Sequence, residues 1–435
     1  MKVLLVNTSD HAGGAAIAAC RLLKALRQQG IDAKMLCRDK SLTAPKEGLI
    51  YTKGGWKSRL KFVLERLEIF IKNGFTRRGL FAVDTARMGN DITRLQAFKQ
   101  ADVIHLHWVN QAMLSLSDLK RIMQAGKPVV WTMHDMWNIT GVCHQSGACD
   151  RWLKQCGKCP LLCKPSAHDL SFATFQRKQQ LYAQHQLTFV GCSQWLTSLA
   201  KQSPLLKKQR IVSIPNPIDT SYYAPLESIG QKDRNALRVQ LGLPTDRQLI
   251  LFTAFKVTDP NKGIDYLIES LTLLCQEHPE MQDKLGIVLA GQGAEALKDS
   301  FAVKAYPMGY VADEERMRQL YQAVDLLAMP TLMDNLPNTI AEAMACGVPC
   351  VSFRVGGVPQ MIDTGVNGYL ATYQDSLDFA HGIGSVLLSP NYESLRRNAR
   401  SKAVSAYSEQ NIAQQYIRLY NEGLQITKEP NIEKH

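Results

Sequence analysis

Asp334 and Glu342 stand with seven residues between them in the run Asp334-Asn335-Leu336-Pro337-Asn338-Thr339-Ile340-Ala341-Glu342-Ala343-Met344-Ala345-Cys346-Gly347-Val348-Pro349. The pattern predicts a loop carrying one carboxylate, then a short helix whose first turn carries the second, ended at Gly347 with Pro349 just beyond. A helix N-terminus offers N–H donors and the positive end of a dipole, which suits a diphosphate. Carboxylates flanking such a site accept hydrogen bonds from sugar hydroxyls, so the chemistry suggested is the holding of a nucleotide-sugar. Pro337 removes one N–H from that loop and shifts the task to Asn338 and Thr339. Elsewhere, Gly126-Lys127-Pro128-Val129-Val130-Trp131-Thr132-Met133 runs as an apolar strand directly into His134-Asp135. In an open parallel sheet, ligands bind at the carboxyl ends of strands. Gly13-Gly14 sit in the loop that feeds the first helix, where they either ease a tight turn or let backbone N–H groups approach a phosphate.

A third cluster is sulfur-rich. Cys143, Cys149, Cys156, Cys159 and Cys163 fall within a 21-residue stretch that also holds His144 and one C-x-x-C. In a reducing compartment that spacing is open to two readings, a structural Zn²⁺ site or a loop of free thiols with a redox-labile pair. The other six of the eleven cysteines are scattered singly through apolar segments, as reduced core thiols are.

The Asp334–Pro349 run resembles the signature of glycosyltransferase family 4, and the likeness continues through Gly356-Gly357-Val358-Pro359-Gln360-Met361-Ile362 and Thr364-Gly365-Val366-Asn367-Gly368-Tyr369-Leu370. Members are retaining enzymes of the GT-B fold, so the resemblance implies two doubly wound Rossmann-like α/β domains facing an interdomain cleft, with a C-terminal helix crossing back to the first. It implies that Asp334, where the family usually has Glu, holds the hexose with a shorter reach, and that Glu342 holds the ribose. It further implies that His134 hydrogen-bonds the donor sugar, with Asp135 as its orienting neighbour, and that Gly13 and Gly14 lie by the donor diphosphate. Lys256 and Lys262, six positions apart after the apolar strand Gln248–Phe255, match an Arg and Lys pair that grips the donor phosphates. Lys256 keeps the charge but not the bidentate fork. Tyr310, just past the Val303–Gly309 strand, falls where the family holds the nucleotide base. The expected reaction is transfer of a hexose, with retention, from a nucleotide-diphosphate sugar to a glycan or polyprenyl-linked acceptor, of the kind that builds exopolysaccharide, capsule or O-antigen. No Asp-x-Asp occurs, so no catalytic metal is expected.

The elements that must position these groups are legible in outline. The chain has 435 residues, 45% hydrophobic and 21% charged, enough for two domains with proper cores. Strand, helix and strand follow one another over residues 1–40, and Pro215-Asn216-Pro217 reads as an extended connector. The domain boundaries drawn are 1–214 for an acceptor-side domain with a cysteine-rich insertion at 143–163, 215–402 for the nucleotide-sugar domain, 403–427 for the returning helix and 428–435 for a polar tail. Residues 53–72 form a basic amphipathic helix with Trp56, Leu60, Val63, Leu64, Leu67, Phe70 and Ile71 on one stripe. That stripe either packs on its own domain or lies in an anionic membrane surface. No apolar run is long enough to span a bilayer, and the placement expected is cytoplasmic or peripheral to the inner face of the plasma membrane. The formal net charge of +12 is dispersed and lacks an aromatic-interleaved basic motif, which argues against a nucleic acid partner. A non-catalytic scaffold of the same fold stays open as an alternative.

Overall fold

A computed structural model describes residues 1–40, 47–52, 55–230 and 233–428. Lys53 and Gly54 of the basic helix, and the polar tail beyond Lys428, lie outside the described residues. The chain divides into two compact units, Met1–Pro217 with Ile412–His435, and Ile218–Asn411.

The first unit is built on seven parallel strands: β1 (Lys2–Ser9), β2 (Asp32–Asp39), β3 (Leu49–Tyr51), β4 (Val103–Leu106), β5 (Val129–Met133), β6 (Thr188–Gly191) and β7 (Arg210–Ser213), in the order β3-β2-β1-β4-β5-β6-β7. Strands buried on both faces need no polar alternation, and β1 is buried without interruption from Val3 to Ser9. One face of the sheet packs Trp131, Phe189, Tyr182 and Trp137; the other packs Val3, Leu5, Leu22 and Leu26 against Ile412, Tyr416 and Tyr420 of the last helix. The single C-terminal helix expected over 403–427 is in fact two, Tyr392–Tyr407 and Glu409–Lys428. At Ser408 the helical ladder gives way because Tyr407 C=O accepts from Ile218 N–H (2.8 Å) and Glu409 N–H donates to Ile218 C=O (3.1 Å).

The second unit repeats the plan with β8 (Gln248–Lys256), β9 (Leu285–Gln292), β10 (Lys304–Gly309), β11 (Leu326–Met329), β12 (Cys350–Phe353) and β13 (Gly368–Ala371), ordered β10-β9-β8-β11-β12-β13. Strand order therefore reverses direction between β1 and β4 in one unit and between β8 and β11 in the other. At such a switch point, two neighbouring connections leave toward opposite faces and open a crevice at the strands' carboxyl ends. Among the described residues, no helix is long and apolar enough to cross a membrane.

Candidate functional site

In the second unit, Lys256 ends β8, and the Asp334 loop follows β11, the strand next to it. Between β8 and its helix (Ile264–Glu277) the chain makes a tight turn, Pro260–Lys262, fixed by Asp259 accepting from Asn261 N–H (3.0 Å). Gly263 closes it at φ +70°, and a Cβ there would stand 2.0 Å from the Pro330 carbonyl oxygen. That close approach lets Asn261 C=O accept from Leu332 N–H (2.8 Å) and Thr331 Oγ1 (3.2 Å), tying the two loops together. Lys262 Nζ consequently lies 3.1 Å from Asp334 Oδ2, both side chains partly open to solvent. Two residues read separately in the sequence are one ion pair. Lys256, the last residue of β8, is exposed.

The helix that follows runs Asn338–Ala345, with Pro337 at its N-cap and no side-chain cap. Its first turn presents Asn338 and Thr339, both half-buried, and Thr339 Oγ1 donates to Met329 Sδ (3.0 Å). Glu342 is the fifth residue of this helix, so it sits in the second turn and not, as the spacing suggested, in the first. It is buried, and Tyr321 Oη donates to its Oε2 (2.8 Å). Burial and the Glu342 charge push the Tyr321 phenol well above its ordinary value, so it remains a donor. Tyr310 stands at the end of β10 as expected, with an exposed partner: its ring meets Phe255 edge-on at 5.2 Å, and the two are 52% and 68% exposed. Phe255 was read from the sequence only as the last apolar residue of its strand. Two bare aromatic rings at strand ends offer stacking surface for a planar base.

In the first unit, Gly13 caps the Gly14–Gln28 helix at φ +85°, a conformation that favours glycine, although no atom lies within 4 Å of the place a Cβ would take. Both glycines are exposed beside the carboxyl end of β1. His134 follows β5, two strands away in the sheet. Its Nε2 is 3.1 Å from Nδ1 of His107, whose ring it stacks on. His107 in turn lies against His105 (centroids 4.2 Å), which bonds Thr132 Oγ1 (2.8 Å) and Tyr420 Oη (2.7 Å). Burial holds these imidazoles neutral: His134 is lowered to about 4, His105 to about 3, and His107 well below its usual value. Asp135 carries other donors, Trp108 Nε1 (2.9 Å), His144 Nδ1 (2.7 Å) and Trp137 N–H (2.8 Å). Burial opposes both charges, yet His144 keeps Asp135 below and Asp135 keeps His144 above their ordinary values. His107 was not singled out in the sequence, and His144 was noted there only beside the cysteines. A second strand ending in a histidine, Ile104-His105-Leu106-His107, was the available signal for the first.

Residues 247–389 match the family model described as glycosyl transferases group 1, and residues 12–222 match the model described as Glycosyltransferase Family 4. The chain belongs to glycosyltransferase family 4. A D-inositol 3-phosphate glycosyltransferase of Xylanimonas cellulosilytica is 32% identical over 187 residues, covering 41% of this chain and 43% of that relative, so the match spans less than half of the relative's length. The structure of sucrose-phosphate synthase from Thermosynechococcus elongatus superposes with a TM-score of 0.65 at 18% identity, covering 97% of this chain and 98% of the other. The Anabaena protein HepE, crystallised with UDP and glucose, gives 0.63 at 18% identity over 97% of this chain and all of its own. These likenesses carry the fold, GT-B with two Rossmann-like units.

The cysteines of this family 4 chain are not gathered. Among the described residues no three Cys, His, Asp or Glu side chains come together as a metal-binding group, Cys143, Cys149, Cys156, Cys159 and Cys163 included. Cys159 packs with Ile69, Val83 and Leu170. Cys156 Sγ instead accepts from Gly141 N–H (3.1 Å), Cys149 is only half-buried, and Cys163 is exposed. Burial pushes Cys143 up to about 12 and Cys156 up to about 11.

Proposed function

We propose that this family 4 protein transfers a hexose from a nucleotide-diphosphate sugar to a glycan or lipid-linked sugar, with retention at the anomeric carbon, in the assembly of a bacterial surface polysaccharide. The observation that carries the reading is the Lys262–Asp334 pair beside the start of the Asn338–Ala345 helix, at the β8/β11 switch point. A bound donor satisfies both partners at once: its diphosphate takes Lys262 and Lys256, and its hexose hydroxyls take Asp334. The cations and the helix N-terminus are in place before the leaving group develops its charge, so they need no reorganisation as it departs. Phe255 and Tyr310 offer the base a stacking surface.

The two carboxylates do not suit a glycosidase-like double displacement, which needs one free nucleophile and one protonated acid. Asp334 is paired with a lysine and Glu342 with a buried phenol. Attack therefore comes on the face the diphosphate leaves, with the leaving phosphate accepting the acceptor's proton. His134, neutral and steadied by His107, serves as a hydrogen-bonding group toward sugar or phosphate and carries no charge of its own.

Binding of UDP-, GDP- and ADP-sugars, read as a rise in melting temperature, identifies the donor because a ligand of the folded state stabilises it. Lys262→Met should weaken the selected donor about 10- to 100-fold, the value of a charged hydrogen bond. Affinity unchanged in that variant would remove the phosphate role. Donor binding without turnover on any glycan acceptor would favour the non-catalytic scaffold.

A further inference from the structure

The Gly55–Lys72 helix is amphipathic in the reverse sense of an ordinary surface helix, which buries its apolar stripe. Its fully buried side chains are Ser58, Glu65, Arg66 and Ile69, three of them polar. Arg66 donates to the carbonyls of Leu80 (2.8 Å) and Val83 (3.0 Å) and pairs with Asp84 (2.9 Å). Glu65 accepts from Arg87 N–H (2.9 Å), and Lys61 Nζ reaches the Gly89 carbonyl (2.6 Å). Polar bonds thus fasten the helix down, while Trp56, Leu60, Val63, Leu64, Leu67 and Ile71, recurring every three or four residues, face solvent, Trp56 with 70% of its surface. Phe75, whose ring meets Phe70 edge-on at 5.8 Å, and Phe81 are exposed as well, just after the helix. From residue 55 to 82 the exposed charged side chains are Lys57, Arg59, Lys72, Arg77 and Arg78; the only carboxylates of the stretch are Glu65, buried, and Glu68, held by Lys72 and Arg87.

We propose that this face docks on an anionic lipid bilayer. Charge complementarity selects that occupant. A second copy of the chain would set cations against cations across a twofold contact, whereas anionic headgroups meet them and the acyl boundary takes the leucines and the tryptophan. The inference goes beyond the transfer reaction and would hold for a chain with no activity, so the two stand or fall separately.

The test is co-sedimentation of the full chain with vesicles of phosphatidylcholine alone and of phosphatidylcholine with an equal part of phosphatidylglycerol. Binding is expected only to the second, with a blue shift of tryptophan emission that Trp56→Phe removes. Lys57→Gln with Arg59→Gln should weaken it about 30-fold, at about 5-fold for each cation removed. Leu60→Ser with Leu67→Ser should abolish it while melting temperature and nucleotide binding stay unchanged, since both side chains are already exposed. Equal binding to neutral vesicles, no binding to anionic ones, or binding indifferent to both double variants would overturn the proposal. So would a lipid-free dimer that the Leu60→Ser, Leu67→Ser variant dissociates.

Discussion

Acid should unfold the first unit through its buried histidines. A solvated imidazole takes its proton at about pH 6.5, whereas the folded chain holds His105 to about 3 and His134 to about 4. Between those values the unfolded chain binds more protons than the folded one. The stability contributed is therefore complete above the unfolded value and is lost as the pH falls toward the folded values. At about pH 5 each of these two residues costs about 2 kcal/mol, and the pair about 4 kcal/mol, out of the roughly 5–15 kcal/mol that typically holds a folded protein. His107, also pushed down by burial, adds to the loss. His144, raised by Asp135, gives some back because its contribution grows as the pH falls. His105→Gln isolates one contribution. Glutamine keeps a polar head between Thr132 and Tyr420 but cannot titrate, so the variant should lose about 2 kcal/mol less than the parent between about pH 7 and pH 5, whatever its stability at the start. All six tryptophans lie between Trp56 and Trp195, so urea denaturation followed by intrinsic fluorescence reports on the first unit. Parallel losses in variant and parent would refute the reasoning.

Two further predictions follow from close contacts. A Cβ on Gly356, at φ +55°, would lie 1.8 Å from the Asp334 carbonyl oxygen, so Gly356→Ala must displace the Asp334 loop. It should cost on the order of 2–4 kcal/mol and eliminate the donor-induced rise in melting temperature; an undiminished rise would show the loop free of the donor. Arg66→Met leaves Glu65 and Asp84 buried without their shared cation and should destabilise the chain by about 3–5 kcal/mol. Burial and Asp84 already push Glu65 up to about 7, so the folded chain takes that proton before the unfolded one does. Removing the Arg66 charge raises Glu65 further, so the deficit, measured as the difference from the parent in urea, should shrink as the pH falls toward about 7, where the variant holds the proton and the parent does not, and level off below it. A deficit independent of pH would count against this ion-pair account.

What the sequence made legible was local. Lys256, Lys262 and Asp334 each stand next to a recognisable strand end, and the alternation of apolar strands with helical spacing was enough to expect two doubly wound sheets. The Lys262–Asp334 pairing was not legible, because 71 residues intervene and only the hydrogen bonds of Asn261 to the loop beyond β11 bring them together. The same holds for His105, whose partner Tyr420 is 315 positions away. Periodicity revealed the apolar stripe of residues 56–71 but not its outward direction, since a repeat every three or four residues is the same whichever side is covered. The cysteine spacing left two readings open for a related reason: sequence proximity says nothing of side-chain direction, and Cys159 is buried while Cys163 is exposed.

The route of the backbone through the two units has a consequence for biosynthesis. Residues 218–411 form an uninterrupted unit, whereas the first unit is completed only by Ile412, Tyr416 and Tyr420, whose side chains close one face of its sheet and bond its histidine stack. During translation, the segment made first must wait, with that face unroofed, until residues 412–420 have left the ribosome, while the segment made second has all its own strands in hand. A message truncated upstream of codon 412 would therefore yield a sound rear unit attached to an unfinished front one.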